Sequence, residues 1–200
     1  MIVKVCGLVN KENLLQVEAL GVDYLGRIFH PSSPRDMSAE TNTATKTKQV
    51  GVFVNASTSH ILEMVKKHGL SAVQLHGSEP IEQLQELKDR GPIIMKAISV
   101  GDDFPVDEVK KYAPFCDYFI FDTKGKYAGG NGVRFKWDLL QAYTQHVPFL
   151  LSGGINPQHA QDIKNFKHPA FAGVDLNSGF ETKPGFKNIE LLKTFLHEIH

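Results

Sequence analysis

The feature that most constrains this chain is a rhythm. Short runs rich in β-branched and aromatic residues return at residues 2–6, 24–29, 49–54, 72–75, 93–97, 117–121, 147–151 and 171–175. Most gaps between them hold apolar residues at helical spacing, as in Leu14, Leu15, Val17 and Leu20, or Ile61, Leu62, Met64 and Val65. Helix starts are marked by the cap residue Ser57 in the third unit, and by Ser78-Glu79-Pro80 in the fourth and Asn156-Pro157 in the seventh, where a cap residue stands beside an early Pro or Glu. Two hundred residues shared among eight strand–helix units leave about 25 each, the short end of the range for an eight-fold barrel. The predicted fold is therefore α/β, a (β/α)8 TIM barrel forming one domain over residues 1–200. An open doubly wound sheet competes, but no G-x-G-x-x-G follows the first run and no Pro/Gly/Ser-rich linker divides the chain. The weakest units are the second, where residues 41–47 are rich in Thr, and the fifth, where Val106, Val109 and Tyr112 leave a short stripe. Distorted helices are expected at both.

Charge and composition narrow the partners. Lys and Arg number 22 and Asp and Glu 22, so no net field draws in nucleic acid or an anionic membrane. No apolar run approaches the ~20 residues of a membrane span, and Lys4 interrupts the first run where a signal peptide would be apolar. The expected location is the cytoplasm. The two cysteines, Cys6 and Cys116, lie in no C-x-x-C or zinc-spaced cluster, so neither a disulfide nor a metal is expected.

Polar residues intrude where a parallel barrel strand should be apolar on both faces. Val3 and Val5 share one face of the first run, which leaves Lys4 and Cys6 together on the other. Further intrusions fall near the carboxyl ends of other runs: Gln74 and His76, Lys96, Asp122, Ser152 and Asp175. Taken together they predict a polar ring at the rim where barrels of this type carry their active sites. A buried ammonium at Lys4 or Lys96 demands a charged partner.

Two segments are suited to an anion. Ser152-Gly153-Gly154-Ile155-Asn156-Pro157 ends the seventh run and opens a helix, and Asn177-Ser178-Gly179 follows the eighth. Backbone N–H groups exposed by glycine beside a helix start form an anion cradle, and the loops after strands seven and eight are where such barrels bind phosphate. A third glycine cluster, Gly129-Gly130-Asn131-Gly132 with Lys124 and Lys126 nearby, is expected to be a mobile loop able to close over a ligand.

Seven motifs then occur in one order: Lys4-Val5-Cys6-Gly7, Ser33-Pro34-Arg35, Val50-Gly51-Val52-Phe53-Val54-Asn55, Val73-Gln74-Leu75-His76-Gly77, Phe121-Asp122-Thr123, Leu151-Ser152-Gly153-Gly154, and Ser178-Gly179-Phe180-Glu181 with Pro184-Gly185. Over nearly its whole length the chain resembles the phosphoribosylanthranilate isomerase family. The resemblance implies a barrel enzyme of tryptophan biosynthesis performing an Amadori rearrangement of N-(5-phosphoribosyl)anthranilate to 1-(2-carboxyphenylamino)-1-deoxyribulose 5-phosphate, without cofactor or metal. It further implies Asp122 as general acid and Cys6 as general base. Arg35 would engage the anthranilate carboxylate, Gly153, Gly154, Asn177, Ser178 and Gly179 the phosphate, and Asp175 the sugar, with Lys4 and His76 also in the substrate site. Lys4 would favour the Cys6 thiolate from the same strand face. The partner is a small phosphorylated molecule, and the protein a monomer or homodimer.

Four residues depart from the family pattern: Arg27 between Gly26 and Ile28, Lys136 where Asp is usual, Asn177 for Ser and Asn131 for Thr or Ser. Pointing into the barrel, Arg27 would pair with Asp122 or another acid; pointing outward, it must snorkel to water. Two other readings stand beside an active isomerase: an imidazole-pathway aminoaldose isomerase, which Cys6 and Arg35 disfavour, and a barrel that binds a phosphorylated ligand with lost or altered activity.

Overall fold

Each strand of the barrel is covered on both faces, and its side chains sort cleanly by parity. In the computed structural model, which describes residues 1–124 and 135–200, eight parallel strands pair in chain order and close: β1 (Ile2–Val5), β2 (Tyr24–Ile28), β3 (Lys48–Phe53), β4 (Ala72–Leu75), β5 (Ile93–Val100), β6 (Tyr118–Thr123), β7 (Phe149–Leu151) and β8 (Phe171–Leu176). Tyr24, Val50, Ala72, Met95, Ala97, Ile120 and Leu150 fill the interior as one buried cluster. The alternate residues, among them Leu25, Val73, Leu75, Ile94, Ile98, Phe119, Phe121, Phe149 and Leu151, belong to the larger core shared with the helices. Burying each such side chain contributes about 1.5–3 kcal/mol, so reversing a strand's parity would forfeit both layers.

The helices are α1 (Lys11–Glu18), α2 (Thr58–His68), α3 (Ile81–Asp89), α4 (Val106–Tyr112), α5 (Ala160–Asn165) and α6 (Ile189–Ile199). Ser57 caps α2 by accepting the His60 N–H, and Gly69 ends it in the left-handed conformation. Asn156 accepts the Gln158 N–H while the His159 ring accepts the Asn156 N–H, a reciprocal cap on the turn that leads into α5. The expectation at Ser78-Glu79-Pro80 needs correction. Pro80 stands at the cap of α3 without a side-chain bond, because Glu79 turns inward to an ion pair. No helix joins β2 to β3. Residues 41–47 lack an apolar face, and their backbone is held instead by side chains: Glu18 accepts the N–H groups of Lys46 and Thr47, and Gln49 donates to the Thr43 carbonyl. In the fifth unit α4 gives way to a 3₁₀ turn at Ala113–Phe115, where Pro114 removes a donor. A 3₁₀ turn at Trp137–Ala142 is the only helical element described between β6 and β7. Lys126 and the Gly129-Gly130-Asn131-Gly132 cluster, with the Asn131 departure, lie outside the described residues.

Two basic residues face outward from the barrel. Arg27 shares the parity of Leu25 and is buried against Gln49 and Met37, donating to Gln49 Oε1 at 3.1 Å. Burial lowers its pKa to about 10, with Glu40 pulling it back up. It neither reaches Asp122 nor snorkels to water. Lys96 sits mid-strand in β5, not at the rim as expected, and its ammonium bonds Glu79 at 3.0 Å, the Gly77 carbonyl at 2.7 Å and the Leu75 carbonyl at 3.2 Å. After β8 the chain forms a small antiparallel hairpin, β9 (Glu181–Lys183) and β10 (Phe186–Lys187), which packs against the carboxyl-terminal rim rather than joining the barrel.

Candidate active site

At that rim the inward-facing residues line one pocket. Cys6, Arg35, Gln74, His76, Asp122 and Asp175 meet there with Ser152, Gly153, Gly154, Asn177 and Ser178. The strand-end residues Cys6, Gln74, His76, Asp122, Ser152 and Asp175 and the two loops singled out from sequence therefore converge on one space.

Cys6 directly follows β1, its N–H donating to the Leu176 carbonyl at 2.8 Å. Gly26, its neighbour on β2, makes room for the thiol: a Cβ there would stand 2.7 Å from Sγ. Below Cys6 on the same face, Lys4 is wholly buried and donates to both oxygens of Asp175 at 2.8 Å. The two residues are direct partners in the β1–β8 register. Burial alone would lower the Lys4 pKa, but Asp175 and Cys6 more than offset it and hold the ammonium above its ordinary value. Burial raises the Cys6 thiol; Lys4 pulls it down, Asp175 pushes it up, and the net direction is upward. Asp175 is itself raised, by burial first and by Asp122, against the pull of Lys4. Lys4, expected among the substrate contacts, thus lies beneath the pocket wall. Its charge is spent on Asp175 and only partly offsets the burial of the thiol.

Asp122 is anchored at one oxygen and engaged at the other. Oδ1 accepts the Thr123 N–H at 2.8 Å, and Oδ2 lies 3.2 Å from His76 Nε2. Gln74 Nε2 approaches His76 Nδ1 at 3.3 Å, so Gln74, His76 and Asp122 form a row across β4 and β6. Gly153, with φ of +79°, brings the loop after β7 so close that a Cβ would lie 2.7 Å from Asp122 Oδ1. Gly154 follows with φ of +66°. Both are conformations that favour glycine, and the capped turn at Asn156 follows directly. Gly179 does not line this pocket, and a Cβ there would clash with the Ile155 carbonyl, so a glycine at this position lets the loops after β7 and β8 touch.

Arg35 reaches the pocket from the loop after β2. Its Nε donates to Glu181 Oε1 at 2.9 Å and its Nη2 to Glu181 Oε2 at 2.6 Å. Glu181 and its second partner Lys187 were not anticipated as site residues. Glu181 stands inside a quoted motif, but nothing in local spacing ties it to Arg35, 146 residues earlier. Cys116 is far from this chemistry in character: burial pushes its pKa up to about 12, and it packs in the outer core. Lys136 is exposed.

A closed parallel barrel whose carboxyl-terminal rim gathers a thiol, a carboxyl and a paired-glycine loop around one pocket defines an enzyme of the barrel class that acts on a small ligand. Residues 3–198 match the family described as N-(5'-phosphoribosyl)anthranilate (PRA) isomerase. The N-(5'-phosphoribosyl)anthranilate isomerase of Parabacteroides distasonis is 41% identical over 206 residues, covering 100% of this chain and 93% of that one. A solved structure of monomers of the dimeric isomerase of Thermotoga maritima superposes with a TM-score of 0.82 at 32% identity, covering 100% of this chain and 98% of the other. Another, a phosphoribosylanthranilate isomerase in complex with reduced 1-(o-carboxyphenylamino)-1-deoxyribulose 5-phosphate, gives 0.81 at 31% with coverage of 100% and 98%. The chain belongs to the phosphoribosylanthranilate isomerase family, and it is an isomerase.

Proposed function

We propose that this chain performs the Amadori rearrangement of N-(5'-phosphoribosyl)anthranilate with Asp122 as acid and Cys6 as base. The observation that carries the assignment is that one pocket is lined by both groups, by Gly153 and Gly154 after β7 and by Asn177 and Ser178 after β8. The phosphate binds the backbone N–H groups of Gly153 and Gly154 with Asn177 and Ser178 opposite. The anthranilate carboxylate meets the free edge of the Arg35 guanidinium.

Chemistry begins when Asp122 gives its proton to the furanose ring oxygen. The C1–O bond breaks, the nitrogen lone pair forms C1=N, and the sugar is an open-chain Schiff base. The Cys6 thiolate then removes the C2 proton; that electron pair forms C1=C2 and the C1=N pair returns to nitrogen, giving an enolamine. The enolamine becomes the ketone as C1 takes the proton now held by Cys6 and the C2 hydroxyl proton passes to Asp122, which returns base and acid to their starting states. Lys4 and Asp175 serve the base from below. Their paired charges favour and oppose the thiolate in turn, which places its ionisation under the control of a fixed ion pair. Thr123 and His76 orient the Asp122 carboxyl toward the pocket, and Asp175 is placed to meet a sugar hydroxyl.

By the same reading the enzyme works in tryptophan biosynthesis in the cytoplasm, as a monomer or a homodimer, without cofactor. Borohydride trapping of the open-chain imine separates the two roles. Cys6→Ser opens the ring and accumulates the reducible imine, whereas Asp122→Asn does not. Equal trapping from both variants would remove Asp122 from the ring-opening step.

A further inference from the structure

Glu181 and Lys187 have no place in the acid–base chemistry above, yet both are buried at the edge of the pocket. The Glu181 side chain is 5% exposed and that of Lys187 is wholly enclosed. Glu181 Oε1 accepts from Arg35 Nε, from Lys187 Nζ at 2.7 Å and from the Gly185 N–H at 3.1 Å. Lys187 Nζ also donates to Asn177 Oδ1 at 2.7 Å. The Lys187 backbone is fixed in turn by Asn13 of α1, whose side chain bonds both its N–H and its carbonyl, at 2.7 and 2.9 Å. One continuous path therefore runs from Arg35 through Glu181 and Lys187 to Asn177. Its ends are the residues read above as holding the two anionic ends of the substrate.

The arrangement does two things that a lone Arg35 would not. Glu181 takes Nε and Nη2 of Arg35 and leaves Nη1 without a protein acceptor among the described residues, so the guanidinium plane is fixed and one edge stays open. Lys187 shares the same carboxylate, so one negative charge faces two positive ones and the cluster retains a surplus cation for an incoming carboxylate. Gly7 completes the fit, because a Cβ at its φ of +75° would stand 2.6 Å from Arg35 Cδ and 2.7 Å from Asn177 Oδ1.

We propose that Glu181 and Lys187 are positioning residues: the β9–β10 hairpin uses one buried carboxylate and one buried ammonium to lock Arg35 to Asn177, and so sets the span between the carboxylate-binding and phosphate-binding ends of the site. This rests on the assignment of Arg35 to the anthranilate carboxylate, and the test separates the two. Inhibition constants are measured for the reduced product analogue and for its phenylamino counterpart lacking the carboxylate, against wild type, Arg35→Ala, Glu181→Gln, Glu181→Asp and the charge-balanced double variant Glu181→Gln/Lys187→Met. The double variant keeps the net charge of the cluster, and Glu181→Asp keeps every charge while withdrawing the carboxylate by one methylene. Wild type prefers the carboxylated analogue. Both Glu181→Gln proteins lose about tenfold or more of that preference, with KM raised and kcat at saturation within about threefold; Glu181→Asp falls between. A folded double variant or Glu181→Asp protein with the full wild-type preference, while Arg35→Ala loses it, would overturn the positioning role and leave Arg35 in place. Preference retained by Arg35→Ala as well would overturn the assignment on which the proposal rests.

Discussion

Lys96→Met isolates what a buried ion pair contributes here, because this lysine lies outside the catalytic pocket. Its ammonium is wholly buried, 3.0 Å from Glu79 Oε2, with two carbonyl acceptors and the Tyr112 ring 5.0 Å away. At an effective dielectric of about 20, two unit charges 3.0 Å apart attract by roughly 5–6 kcal/mol. Removing one partner leaves the other charge buried, and such truncations cost about 3–5 kcal/mol. Glu79 keeps two donors, the N–H groups of Asn55 at 3.1 Å and Gly77 at 2.8 Å, which holds the expected loss near the middle of that range, about 4 kcal/mol. For a chain of this size that corresponds to a fall in Tm of about 8–16 °C. Urea unfolding at pH 7 reads the loss directly. Adding Glu79→Gln removes the orphaned charge while keeping an acceptor for both N–H groups, so the double variant recovers roughly half of it. Turnover of the single variant, measured well below its midpoint, stays within about threefold of wild type. A loss below about 1 kcal/mol, or a double variant less stable than the single, would refute the reasoning.

Other perturbations follow from the same geometry. Lys4→Met removes the charge that pulls the Cys6 thiol down, so the acid limb of the kcat/KM profile, where activity rises with pH as the thiolate forms, moves to higher pH; Asp175→Asn removes an opposing charge and moves it lower. An unmoved limb in both would detach that ionisation from Cys6. Gly26→Ala puts a methyl group 2.7 Å from the Cys6 sulfur and should cut kcat about tenfold or more at a stability cost of about 1–3 kcal/mol, read by kinetics and thermal melting together. Gly153→Ala must adopt a φ of +79° against Thr123 and Asp122; competition by inorganic phosphate should weaken along with turnover.

Much of this was legible in the sequence, for reasons that also explain the errors. All eight strands lie within a few residues of the apolar runs, because a strand covered on both faces leaves no alternative pattern. Parity put Lys4 and Cys6 on one face of the first strand, and the structure turns that face into the barrel. Reading the fifth run as ending at residue 97 put Lys96 near a strand end, whereas β5 extends to Val100 and leaves that residue mid-strand on the outer face. Arg27 follows the same logic: it shares a face with Leu25, while Gly26 turns inward to Cys6. Glu79 had the look of a helix-start residue because the local pattern carries no sign of an ammonium 17 positions later. The Arg35–Glu181–Lys187–Asn177 path left no periodic trace at all, being made by a two-strand hairpin folded back on the rim.

The most direct test of the whole account is consumption of freshly generated N-(5'-phosphoribosyl)anthranilate, followed by the loss of its fluorescence, for wild type, Cys6→Ser and Asp122→Asn side by side, with binding of the reduced product analogue as the control for an intact site. The account predicts turnover by wild type and a loss of at least about a hundredfold in each variant, with the analogue still bound. Near wild-type turnover by either variant would contradict it.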